Sequence, residues 1–160
     1  MRQRRLGAPE RVAWKRPFAA GMSYICLMQY PDAFDNLLFN SKNEFGAATP
    51  KVQTAYCIHQ LESKVNNGGF HQYFFNSSGE YVRETLRAFA AIGAVTTCAL
   101  LQRAVAIGFP DGYPADSQQR QECLADFDDI ADALNPLDSA FLKYSEPLAD
   151  LVNDYLSVRH

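Results

Sequence analysis

The sequence has no two cysteines in CxxC spacing, no GxSxG, HExxH or phosphate-loop glycine motif, and only three histidines, the last of them His160 at the end of the chain. Each absence removes a class of function. Cys26, Cys57, Cys98 and Cys123 lie far apart, so they signal neither a zinc ribbon nor a disulfide framework and are expected as free thiols in a reducing cytoplasm. The missing motifs leave no signal for a serine hydrolase, a zincin or an NTPase. No run reaches the ~18 consecutive apolar residues that a membrane span needs. The longest apolar stretch, residues 88–107, is interrupted by Gly93, Thr96, Thr97, Gln102 and Arg103. The start of the chain lacks the apolar segment of a secretory signal. The expected setting is therefore the cytoplasm, with no membrane partner and no cofactor.

What is present is a globular composition, 48% hydrophobic and 21% charged over 160 residues, enough for one domain with a real core. Its charge is unevenly placed. Residues 1–21 carry six basic groups against one acidic, net +5, and residues 22–110 balance at six and six. Residues 111–160 carry three basic and eleven acidic groups, net −8. Residues 1–21 combine Arg, Pro and Gly without apolar periodicity and are expected as a basic, disordered arm. Such an arm suits phosphates of nucleic acid or membrane; the other readings are a solvated tail or an upstream start, since Met22 begins a sensible domain of residues 22–160.

The pattern along that domain is helical throughout. Residues 22–39 suggest two short helices, the second from Pro31 with Phe34, Leu37 and Leu38 inward. Thr49-Pro50 places an N-cap before proline at the first helical position and opens a helix to about Val65. Its apolar residues fall on two sides, which implies neighbours on both. Asn66-Asn67-Gly68-Gly69 stops it, and Phe70, Tyr73 and Phe74 then press three rings inward from a short helix. Ser77 with Glu80 reads as a capping box for a helix through Ile92, with Val82, Leu86, Phe89 and Ala90 inward. Gly93 ends it, and another helix runs from Ala94 to Ile107. Asp116 or Ser117 is expected to cap a helix to about Leu134 with Leu124, Phe127, Ala131 and Leu134 inward. Asn135-Pro136 is expected to break it before a short helix with Leu137 and Phe141, and Ser145-Glu146-Pro147 begins the last, burying Leu148, Leu151, Val152 and Tyr155. No segment alternates as a strand. The fold class is all-α, a single compact bundle of seven or eight short helices.

Three constellations could carry function. His59 and Glu62, three apart on one helix, with His71 beyond, are the minimum for a metal-carboxylate site in a bundle, although a second Glu-x-x-His partner is missing. The other reading is a partly buried helix face with His59 hydrogen-bonded, and no metal is expected. Asn66, Asn67, Gln72 and Asn76 could form a polar recognition cluster, or could satisfy backbone groups at helix ends. Third, Glu146, Asp150 and Asp154 stand at i, i+4, i+8, about 6 Å apart in a row on one helix. Glu122, Asp126 and Asp129 form a second row, and Asp128 with Asp132 a third edge. Like charges so spaced destabilise a helix by a few tenths of a kcal/mol each, so they suit either a basic partner or a plain solvated face.

The stretch 61–79, LESKVNNGGFHQYFFNSSG, with Ala91 to Ala94 ending the following helix, resembles the bacterial DNA-mimic-protein family over about residue 30 to the end. The likeness centres on Val65, Asn66, Asn67, Gly68, Gly69, Phe70, Gln72, Tyr73, Asn76 and Gly79. It implies an all-α, often dimeric domain without known catalytic activity. In the namesake role a dimer shows DNA-like negative charge and binds a DNA-binding regulator in place of its operator. The resemblance thus implies a homodimer whose partner is a basic DNA-binding protein such as a transcription regulator, with no direct contact to nucleic acid. The acidic surface for that partner is expected at Asp126, Asp128, Asp129, Asp132, Glu146, Asp150 and Asp154.

Overall fold

A computed structural model of the chain describes residues 45–158, apart from the side chain of Phe127. These residues form six α-helices and one 3-10 turn: α1 Pro50–Phe75, the 3-10 turn Ser77–Tyr81, α2 Val82–Ile92, α3 Val95–Gly108, α4 Ser117–Cys123, α5 Phe127–Phe141 and α6 Leu148–Ser157. The count differs from the seven or eight short helices expected. The arm at 1–21 and the two helices expected in 22–39 lie outside the described residues.

The start of α1 follows its sequence signal. Thr49 is extended and its side chain accepts from the Val52 N–H at 3.4 Å, with proline next. The asparagines do not stop the helix; Asn66 and Asn67 continue it, and the backbone leaves helical geometry only at Gly68 and at Gly69 (φ 73°). The result is one 26-residue element with a sharp break rather than two separated helices. Its two-sided apolar pattern does what such a pattern requires: every other helix packs on it. Leu61, Phe70, Tyr73 and Phe74 are fully buried, and Phe70 meets Phe141 while Phe74 meets Phe109, both edge to face.

Four local expectations fail. Ser77 and Glu80 form no capping box; the chain takes a 3-10 turn and α2 starts at Val82 without a side-chain cap. Ser78 instead donates to the Tyr73 carbonyl at 2.9 Å, folding the turn onto the end of α1. The tightness has a cause at Gly79, where any Cβ would lie 2.5 Å from the Phe74 carbonyl oxygen. In α2, Ala90 is exposed and Ala88 takes the inward position. The helix from Asp116 ends at Cys123, because Leu124 turns into the core at 1% exposure and a new helix begins at Phe127. That helix then runs through Pro136 without breaking. Proline costs about 3 kcal/mol in a helix interior. Leu134, Leu137 and Phe141, all buried on this helix, contribute roughly 1.5–3 kcal/mol each and outweigh it.

Gly93 ends α2 in the left-handed region (φ 76°), as its position predicts. α5 lies against α1 and α3, and α6 against α1 and α2. Lys51 in the first turn of α1 donates to the Leu156 and Val158 carbonyls, a cation at the negative end of α6.

Candidate interaction surface

The Asn-Asn-Gly-Gly break is closed from a distance. Gly69 in its left-handed conformation frees the Phe70 N–H, and Asp138 of α5 accepts it at 2.8 Å. An alanine Cβ at 69 would lie 2.8 Å from the Asp138 Cγ, so the glycine permits both the turn and the carboxylate's approach. Burial pushes the Asp138 carboxyl upward, with the Phe70 N–H and nearby His71 acting against that shift. The amides around the break are spent internally. Asn66 donates to the Glu62 carbonyl at 2.7 Å and to the Tyr144 hydroxyl at 2.6 Å, and Asn67 donates to Gln72 at 2.9 Å. The backbone N–H of Asn76 closes α1 on the Gln72 carbonyl. Tyr73, with no exposed surface, donates its hydroxyl to Thr85, which in turn donates to the Tyr81 carbonyl. Asn66, Asn67, Gln72 and Asn76 thus hold the helix break and ends together.

His59, Glu62 and His71 do not assemble into a metal centre: among the described residues no group of three or more His, Cys, Asp or Glu side chains could hold an ion. Burial lowers His59 to about 4, so it is neutral at pH 7. His71 places Nε2 3.3 Å from the Leu124 carbonyl and stacks on Phe75. Burial raises Glu62 to about 7, with the Tyr144 hydroxyl beside it opposing the shift. A carboxyl whose folded value lies above its unfolded value stabilises the fold most when protonated, and that contribution fades as pH rises from about 4.5 to about 7. Glu62→Gln is therefore expected to be more stable than wild type at pH 8, by on the order of 2 kcal/mol, and no more stable at pH 4. Urea unfolding at the two pH values checks this.

The acidic residues divide into two sets. Asp116, Asp138 and Glu146 are helix caps. Asp116 accepts from the Gln119 N–H at 2.9 Å and caps α4. Glu146 lies before α6, which starts only at Leu148, so it does not continue the row of Asp150 and Asp154. It turns instead to α3, accepting from the N–H groups of Thr96 and Thr97 at 2.9 and 2.8 Å and from the Thr97 hydroxyl at 2.7 Å. Burial alone would raise its carboxyl, but these donors win and hold it below the usual value. A depressed carboxylate adds stability above the unfolded value and loses it as pH falls through the folded one. Glu146→Gln is expected to cost about 1 kcal/mol at pH 7 and to shrink the loss of stability on acidification, read from melting curves between pH 7 and pH 3.

The second set is on the surface. Asp126 at the N-cap of α5, Asp128 and Asp129 in its first turn, Asp132 one turn on, and Asp150 and Asp154 of α6 are all exposed. Glu122 is on α4, so Glu122, Asp126 and Asp129 are not one helical row. Asp128 and Asp132 do share α5 at i, i+4. Of these carboxylates Asp132 accepts from the Asn135 amide at 3.3 Å and Glu122 from the Gln118 amide at 3.0 Å, both within their own helices.

A family model described as DMP19-like protein matches residues 46–160. The chain belongs to this family. No curated protein and no solved structure matches it. The matched span of this DMP19-like chain covers the broken helix, the Asp138 cap and every acidic residue just described. Among its described residues no helix is long and apolar enough to cross a membrane. Sequence reading missed Asp138, Glu146 as a cap and Tyr144, because each acts on residues remote in the chain; it also missed Arg120, whose partners Ala115 and Tyr113 are near in sequence but whose burial no local spacing signals.

Proposed function

We propose that this DMP19-like domain is a non-enzymatic binding protein, acting as a homodimer, whose exposed carboxylates occupy the DNA-binding face of a transcription regulator. The observation that carries the reading is the division of the acidic residues. Once the caps Asp116, Asp138 and Glu146 are set aside, Asp126, Asp128, Asp129, Asp132, Asp150 and Asp154 remain exposed without a comparable structural role. Of the three basic residues in 111–160, Arg120 is buried and offsets none of that charge at the surface. Membership of the family supports the same reading.

A regulator that binds DNA gains most of its nonspecific affinity from phosphates met by Lys and Arg. Carboxylates in their place would bind the same side chains, with an affinity that falls as salt rises. The test is capture of the regulator on the immobilised domain, followed by elution with salt and by displacement with duplex DNA. Elution at moderate salt and displacement by DNA support mimicry. A complex indifferent to both is a plain apolar or immunity-type interaction and overturns it.

A further inference from the structure

Asn67 is followed by Gly68, and both residues are exposed. An Asn-Gly step carries a reaction of its own: the glycine nitrogen can attack the asparagine side-chain carbonyl carbon, because no Cβ on the second residue crowds the approach. Inside a continuous helix the step is quiet, since attack requires the asparagine backbone to twist away from helical geometry against the turns on both sides. Here the turn on one side is missing. Asn67 is the last helical residue before the break, and Gly68 (φ −160°, ψ 29°) and Gly69 (φ 73°, ψ −177°) have already left the helix. The Asn67 amide is restrained by its donation to Gln72 at 2.9 Å, an exposed bond for which water competes.

The other asparagines among the described residues are each hindered in a way that Asn67 is not. Asn66 spends its amide on two acceptors, the Glu62 carbonyl and the Tyr144 hydroxyl, and the residue after it carries a side chain. Asn76 precedes Ser77, whose side chain crowds the attacking nitrogen. Asn135 precedes Pro136, which has no N–H, and Asn153 lies inside α6 ahead of Asp154.

We propose that Asn67 is a self-modifying site that ages the helix break. The Gly68 nitrogen gives up its proton and bonds to the Asn67 Cγ, the Cγ–Nδ2 bond breaks, and the side-chain nitrogen leaves as ammonia, closing a succinimide ring. Water then opens the ring at either carbonyl, so the net change is asparagine and water to ammonia and either aspartate or isoaspartate. Aspartate keeps the main chain as it was, and a turned Gln72 amide can donate to it. Isoaspartate routes the main chain through an extra methylene, which shifts Gly69 and Phe70 away from the Asp138 carboxylate that accepts the Phe70 N–H. The test incubates the full chain below its melting temperature at neutral and mildly alkaline pH, follows each asparagine by peptide mass spectrometry and reads isoaspartate by enzymatic methylation. Conversion at Asn67 is expected to outpace that at Asn66, Asn76, Asn135 and Asn153, and to quicken as pH rises because the attacking nitrogen must lose its proton. Gly68→Ala suits the fold, since its φ is open to any residue and the new methyl meets only the Gln72 side chain, and it should slow conversion roughly tenfold. The purified isoaspartate form should melt below the fresh protein, and Asn67→Asp close to it. Conversion at Asn67 no faster than at Asn76, an unchanged rate in Gly68→Ala, or an isoaspartate form that melts with the fresh protein overturns the proposal and leaves Asn67 as a plain hydrogen-bond donor at the break.

Discussion

Gly69→Ala is expected to destabilise the domain by about 3 kcal/mol, one of the two largest effects predicted for any single site or surface. Two costs combine. A non-glycine residue held at φ 73° is strained by about 1–2 kcal/mol. The added Cβ also meets the Asp138 carboxylate and drives it from the Phe70 N–H, which removes a helix cap worth about 1–2 kcal/mol. Asp138→Ala alone should cost about the second amount. The two changes share one contact, so their effects should not add: in the Asp138→Ala background the glycine substitution should cost only the backbone strain. Urea unfolding of the four proteins measures that coupling, expected at about 1 kcal/mol. Additive losses would mean that Asp138 and the glycine break act separately, against the geometry described here.

The second large effect concerns binding. Changing Asp126, Asp128, Asp129 and Asp132 together to asparagine is expected to weaken the regulator complex at least a hundredfold at low salt. Each exposed pair lost from a complex costs only about 0.2–1 kcal/mol in isolation, but four carboxylates on one helix end act on the same basic face and steer the encounter as well. The fold should hardly notice. Asp126, Asp128 and Asp129 gain from the positive end of α5, and Asp128 and Asp132 repel each other at i, i+4, so the stability terms oppose and the net change should stay within about 1 kcal/mol. Glu146→Gln gives the reverse pattern, a loss of stability with the complex retained, because its carboxylate is already engaged by Thr96 and Thr97. Equal loss of binding in the two variants would show that general acidity matters and not the exposed set.

These contrasts show what could be read from sequence. Thr49-Pro50, the glycine pair, Gly93 and the Phe70, Tyr73, Phe74 spacing are local signals, and each structures the residues beside it. The all-helical class and the central position of α1 follow from them. The boundaries failed where tertiary packing overrode a local preference. Leu134, Leu137 and Phe141 carry α5 through Pro136, and Leu124 ends the preceding helix by entering the core. The acidic surface was legible as a list of residues but not as a division of labour. Asp138 meets Phe70 across 68 positions and Glu146 meets Thr97 across 49, and no spacing rule connects residues so remote.

The most direct test of the central claim is competition. The immobilised domain, loaded with its regulator from cell lysate, is washed with duplex DNA carrying that regulator's site, at fixed salt and then across a salt gradient. If the carboxylates stand in for phosphates, DNA displaces the regulator, moderate salt does the same, and the Asp126, Asp128, Asp129, Asp132→Asn variant captures none. Retention through both washes, or equal capture by the variant, would contradict it.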